Sequence, residues 1–134
     1  MHFEIQQHAI EDIAVLELHG RLTLGAATRT LQSEAAKLLS EGSRRAILDF
    51  AAAPSIDSSG LGTLVAVHSD FQKAGGAVKL LNLSKRHIQL LVLTKLATVF
   101  EIFDDERAAV DSFFPDRTQR RFDILDFVRS QQPK

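Results

Sequence analysis

The residue types best suited to chemistry lie in one short stretch, residues 57–62, which we call the serine segment. In order, it contains Asp57, Ser58, Ser59, Gly60, Leu61 and Gly62. An aspartate or serine placed before a helix accepts hydrogen bonds from the first backbone N–H groups, so helix capping is one interpretation. The two glycines do not fit capping alone, because each costs roughly 0.5–1 kcal/mol relative to alanine in a helix. They indicate that something approaches this backbone closely.

A phosphoacceptor hydroxyl is the second interpretation of the serine segment. Phosphorylation adds about −1.5 to −2 charges, and the N–H groups and dipole at a helix N-terminus favour an anion. We therefore predict that the domain stays folded after modification. Any loss of function would arise at an interface, through desolvation of the phosphate or repulsion from acidic groups of a partner.

The rest of the sequence offers no other chemistry of this kind. A nucleophilic serine needs a base and an oxyanion site, and the Gly-x-Ser-x-Gly pattern is missing, so we predict that the chain is not an enzyme. There is no Gly-Lys-Ser/Thr phosphate loop, no cysteine, and no metal-ligand spacing among the five histidines. We expect neither a metal nor another cofactor, and we expect His68 to pack beside a helix.

Length and charge restrict the class of protein further. The 134 residues suit one domain, which we place at residues 1–114, followed by a tail at 115–134 that is docked or partly disordered. With 16 basic and 17 acidic residues, the net charge of −1 gives no reason to expect nucleic-acid binding. The lack of cysteine, of a secretion signal and of an apolar run of about 20 residues favours a cytoplasmic protein without membrane contact. A protein partner is the better expectation.

Hydrophobic periodicity predicts the order β-β-α-β-α-β-α-β-α, which gives an α/β or mixed α+β fold class. The predicted strands cover residues 3–9, 13–19, 46–50, 77–82 and 99–103. The first two predicted helices cover residues 31–39 and 59–73. The third begins after a cap at Ser84, and the fourth begins at the acidic residues 104–106 and continues through Phe113. The first two strands are expected to form a hairpin, and the serine segment lies where a buried strand has ended and a helix starts.

Four segments of this sequence resemble one known family. They are residues 20–22, 47–50, 56–62 and 75–82. Together they closely resemble the bacterial anti-sigma factor antagonists of the STAS superfamily, with a similarity that covers roughly residues 3–114. The resemblance implies the STAS fold, a mostly parallel central sheet of about five strands that opens with a hairpin and packs against about four helices.

The resemblance also implies a function called partner switching. The unphosphorylated antagonist binds an anti-sigma factor, a serine kinase with an ATP-binding fold, and thereby frees a sigma factor. Phosphorylation of the serine after the aspartate, here Ser58 with Ser59 as the alternative, releases the kinase until a phosphatase restores binding. The partner-binding residues implied here are Thr23, Asp57, Ser58, Ser59, Gly60, Leu61 and Gly62.

Three finer expectations follow for these residues. We predict that Ser59 contributes its hydroxyl to the helix cap, that Asp57 caps the helix or orients Ser58, and that Gly62 serves docking more than folding.

Many relatives carry an acid where this chain has Thr23, so phosphorylation could be slow or use another partner. The alternative function is an unswitched STAS scaffold in a signalling or lipid-transport complex. The protein is expected to be a monomer or weak dimer.

Overall fold

Five strands form the central sheet of the computed structural model, which describes residues 2–116. The strands are β1 (Glu4–Ile10), β2 (Ile13–His19), β3 (Arg45–Ala52), β4 (Ala77–Leu81) and β5 (Ile102–Phe103). They lie in the order β1-β2-β3-β4-β5. The first two pair as an antiparallel hairpin, and every later pair is parallel. The predicted fold class, with its opening hairpin and mostly parallel sheet, is confirmed.

Four helices connect or follow these strands. They are α1 (Ala26–Ser40), α2 (Ser58–Lys73), α3 (Lys85–Leu93) and α4 (Glu106–Asp111). The predicted cap at Ser84 is present, because its hydroxyl accepts a hydrogen bond from the N–H of His87 at 3.1 Å. In the acidic run before α4, Asp105 caps the helix by accepting from the N–H of Ala108 at 2.9 Å.

Alternating side chains of the strands enter two separate cores. Leu16 and Leu48 face the larger core, which α1, α2 and α3 cover. Val15 and Ile47 face the opposite side, where α4 and Phe103 pack. Because both faces of β2 and β3 are buried, these strands are apolar nearly throughout, as expected of strands inside a parallel sheet.

Two predicted boundaries near the C-terminus of the domain were wrong. The last strand was expected from Val99, yet the N–H of Val99 donates to the carbonyl of Leu96 at 3.0 Å and closes a turn. Pairing in the sheet therefore leaves only Ile102–Phe103 as β5. Helix α4 ends at Asp111 and not at Phe113. From residue 117 onward, the predicted tail lies outside the described residues.

Candidate functional site

Two loops meet at the start of α2 and form the candidate site. One loop follows β2 and the other follows β3, which are neighbouring parallel strands, so their carboxyl ends share one edge of the sheet. The N–H of Leu22 donates to the carbonyl of Ser55 at 3.0 Å, and the N–H of Asp57 donates to the carbonyl of Leu22 at 3.2 Å. These two bonds hold residues 22–24 against the serine segment.

Asp57 joins both loops to the helix. One carboxylate oxygen, Oδ1, accepts from the N–H of Gly60 at 2.8 Å and caps α2. The other, Oδ2, accepts from the N–H of Leu24 at 3.0 Å. The hydrogen bonds from Leu24 and Gly60 lower the pKa of Asp57 below its ordinary value and outweigh the opposing effect of burial. The predicted capping role of Asp57 is confirmed, and its contact with residue 24 adds a second function that spacing did not reveal.

The two serines occupy different environments at the helix start. Ser58 is the first residue of α2 and is exposed, whereas Ser59 is only partly exposed. The expectation that Ser59 caps the helix was wrong, because the helix begins one residue earlier than predicted and Asp57 already occupies the N-cap position. The carbonyl of Ser59 instead accepts a hydrogen bond from the hydroxyl of Thr63 at 3.0 Å. Of the two hydroxyls, that of Ser58 is the more accessible to another molecule.

The glycines of the serine segment differ as sharply as the serines. A Cβ atom at Gly60 would lie 2.2 Å from the carbonyl oxygen of Leu22, far inside van der Waals contact. The close approach indicated by the sequence is therefore intramolecular at this position, and Leu61 beside it is also buried. Gly62 is exposed, and a Cβ atom there would meet nothing within 4 Å. Of the two glycines in the serine segment, only Gly62 leaves open space at the surface.

One exposed apolar residue at this site was missed by the sequence analysis. Leu24, which donates its N–H to Asp57, has 77% of its surface exposed. Thr23 beside it is partly exposed. Leu24 lies in a loop outside any periodic element, so no hydrophobic pattern could identify it. The single available signal was its position two residues after the Gly20-Arg21-Leu22 segment.

The part of the chain described by the structure shows neither a metal centre nor a membrane span. Within residues 2–116, no three His, Asp or Glu side chains are grouped so that they could hold a metal ion. No helix in that range is long and apolar enough to cross a membrane. His68 lies on α2, and its ring packs edge-on against Phe100, with the ring centroids 5.1 Å apart.

Comparison with known proteins identifies the family. A family model for the STAS domain matches residues 4–109, which is most of the chain. The chain belongs to the STAS domain family. The candidate site of this STAS domain is thus formed by the ends of β2 and β3 and the first turn of α2. No curated protein sequence matches the chain.

Solved structures with this STAS fold come from proteins of more than one kind. An anti-sigma factor antagonist from Mycobacterium paratuberculosis has 16% identity and a TM-score of 0.71, covering 83% of this chain and 93% of its own. The Bacillus cell fate determinant SpoIIAA, in its phosphorylated form, has 20% identity and a TM-score of 0.64, with 84% and 99% covered. A sulfate transporter family protein from Wolinella succinogenes has 20% identity and a TM-score of 0.67, with 78% and 87% covered. These similarities concern the fold.

Proposed function

We propose that this STAS domain is a bacterial anti-sigma factor antagonist controlled by phosphorylation of Ser58. The observation that best supports the proposal is the exposed hydroxyl of Ser58 at the first position of α2, beside an aspartate that already serves as the cap. Unphosphorylated, the domain binds an anti-sigma factor kinase and frees a sigma factor. Phosphorylation ends that binding, and a phosphatase restores it. ATP belongs to the partner, and the domain is not itself an enzyme.

The local electrostatics allow a phosphate at Ser58 without loss of the fold. The group would sit at the positive end of the dipole of a 16-residue helix, where an anion is stabilised. The nearest acid, Asp57, already has both carboxylate oxygens bound to backbone N–H groups. The charge of the phosphate would therefore act mainly on a protein that covers Ser58, where removing it from water is costly.

The partner is expected to contact the exposed residues around Ser58. Leu24 offers an apolar side chain from the loop after β2. Gly62, which lies on α2 together with Ser58, leaves room for close approach. Gly60 and Leu61 are buried, so they support this surface from inside. The protein acts as a monomer or weak dimer in the cytoplasm and binds neither nucleic acid nor a membrane.

Phosphopeptide mapping of the protein isolated from its native cell tests the assignment. We expect phosphate on Ser58, with none on Ser59. A chain with Ser58→Ala should carry no phosphate under the same conditions, while Ser59→Ala should still be modified. Phosphate found only on Ser59 or elsewhere in the chain would contradict the proposal.

A second candidate function is an unswitched STAS scaffold in a signalling or lipid-transport complex. Thr23 supports this candidate, because many anti-sigma factor antagonists carry an acid at the matching position. A sulfate transporter family protein also has this fold. Under this hypothesis the 57–62 segment only begins a helix, and protein from the native cell would carry no phosphate in any growth condition.

A further inference from the structure

A shallow groove lies between helix α3 and the loop that leads to Ser58. Its volume is about 280 Å³, and the residues that line it include Ser55, Ile56, Arg86, His87, Leu90 and Leu93. Leu93 has 80% of its surface exposed, although it is a leucine on a helix whose other face is in the core. Leu90 and Ile56 are half-buried. The groove thus exposes apolar surface beside the proposed site.

The charge at the groove is positive and comes from an arginine. Among the described residues that line it, Arg86 is the only Lys, Arg, Asp or Glu, and it is exposed. His87 forms part of the wall and is 2% exposed. A complementary ligand would therefore present an apolar side chain to Leu90 and Leu93, with a carboxylate close to the guanidinium of Arg86.

Chain connectivity places this groove within reach of any protein that acts on Ser58. Ser55 lines the groove and precedes Ser58 by three residues, so their Cα atoms are separated by at most about 11 Å. A specific protein interface typically buries about 800 Å² on each partner, which is a patch roughly 30 Å across. A partner whose interface has this ordinary size and is centred on Ser58 therefore reaches the edge of the groove at Ser55.

We infer that the groove binds an apolar side chain, flanked by a carboxylate, of the same anti-sigma factor kinase that phosphorylates Ser58. This inference rests on the proposed function.

Binding measurements on matched variants of α3 test the inference. The probe is the cell's own kinase, purified on the immobilised wild-type chain and verified by ATP-dependent phosphorylation of that chain. Leu93→Asp should weaken binding at least tenfold, about 1.4 kcal/mol. Leu93→Met should bind within twofold of wild type. Val92→Asp is the matched control, because Val92 is 44% exposed on the same helix but does not line the groove. It should also bind within twofold.

A charge reversal tests the flanking carboxylate. Arg86→Glu should weaken binding about tenfold at low salt, and the loss should shrink as the salt concentration rises. Thermal denaturation of every variant verifies that the fold is intact. Wild-type affinity of Leu93→Asp, or equal losses of affinity for Leu93→Asp and Val92→Asp, would show that the groove does not bind the kinase. Phosphorylation of Ser58 would still support the proposed function in that case. If no kinase of the native cell phosphorylates the wild-type chain, both the proposed function and this inference are wrong.

Discussion

At the scale of single residues, Asp57 has the largest effect on the site, because one carboxylate holds both a helix and a loop. Its oxygens accept from the N–H groups of Gly60 and Leu24. Without the carboxylate, the first turn of α2 would lose its cap and residues 23–25 would lose a tether. Both changes would alter the surroundings of Ser58.

The lowered pKa of Asp57 predicts how stability depends on acid. The carboxylate is favoured in the folded protein, so its contribution is present above the ordinary value of 3.8 and is lost as the pH falls through the lower folded pKa. Asp57→Ala should reduce the free energy of unfolding by about 1–2 kcal/mol at pH 7. Urea titrations from pH 7 to pH 3 should show this difference shrinking in acid. A constant difference would show that the charge of the carboxylate does not matter.

The two glycines of α2 give a paired prediction. Gly60→Ala should lower the free energy of unfolding by about 1–3 kcal/mol or more, because its Cβ atom would overlap the carbonyl of Leu22. Gly62→Ala should leave stability unchanged or raise it by up to about 1 kcal/mol, since alanine favours the helix. Gly62→Ala should nevertheless bind the kinase more weakly. Thermal denaturation tests the stability of both variants, and titration against the kinase tests the binding of Gly62→Ala. A strongly destabilised Gly62→Ala protein would contradict the docking role of Gly62.

At the scale of elements, α3 depends on an uncharged histidine. The ring nitrogen Nδ1 of His87 accepts from the N–H of Ser84 at 3.0 Å, while the hydroxyl of Ser84 accepts from the N–H of His87. This reciprocal pair is a capping box in which histidine replaces the usual Glu or Gln. Protonation of Nδ1 would remove its acceptor and place a charge on a buried ring.

Stability should therefore fall as the pH drops below the ordinary histidine range. Burial lowers the pKa of His87 and outweighs the nearby carbonyls of Ala53 and Pro54, which favour the charged ring. The stabilisation is present above the ordinary value of 6.5 and is lost between that value and the lower folded pKa, at up to about 1.4 kcal/mol per pH unit. His87→Gln keeps the capping box without titrating, so its free energy of unfolding should vary less between pH 7.5 and pH 5. Equal pH dependence in both proteins would contradict this role.

Elements with strong hydrophobic periodicity were predictable from the sequence, and weakly patterned ends were not. Helix α2 was predicted at 59–73 and occupies Ser58–Lys73, because its apolar face is continuous from Leu61 to Phe71. The run from Val99 to Phe103 is apolar enough for a strand, yet a turn uses its first residues. Tertiary hydrogen bonds decided that boundary, and they leave no local signal in the sequence.

At the scale of the whole molecule, a buried lysine connects the sheet to the segment after α4. The Nζ atom of Lys79 donates to both the carbonyl and the hydroxyl of Ser112, and it pairs with Glu101 at 2.8 Å. It also lies 4.3 Å from the centroid of the Phe113 ring. The side chain of Lys79 therefore contacts both the residue that precedes β5 and the segment that follows α4.

Loss of these contacts should be visible as lower global stability. Lys79→Ala should reduce the free energy of unfolding by about 2–4 kcal/mol, because both the charge contacts and the buried stem disappear. Lys79→Met keeps most of the apolar stem and should lose about half as much or less. Urea unfolding measures both, and equal losses would show that the charge, and not the packed stem, makes the contribution.

The fold was predictable at this scale, whereas the composition of the site was predictable only in part. Alternating strand and helix patterns were sufficient for the order of elements and the fold class. The contact between Leu24 and Asp57 depends on two strands being neighbours in the sheet, a relation between residues 33 positions apart. The groove beside α3 similarly needs the helix and the loop after β3 to be placed in space. The sequence identified the serine segment but not these surroundings.

The most direct test of the proposed switch compares one chain in two chemical states. The domain phosphorylated only at Ser58 and the unmodified domain would be titrated against the same purified anti-sigma factor kinase, after thermal denaturation has shown both to be folded. We expect the phosphorylated domain to bind at least tenfold more weakly, a difference of about 1.4 kcal/mol. Equal affinity of the two folded forms would contradict control of partner binding by Ser58.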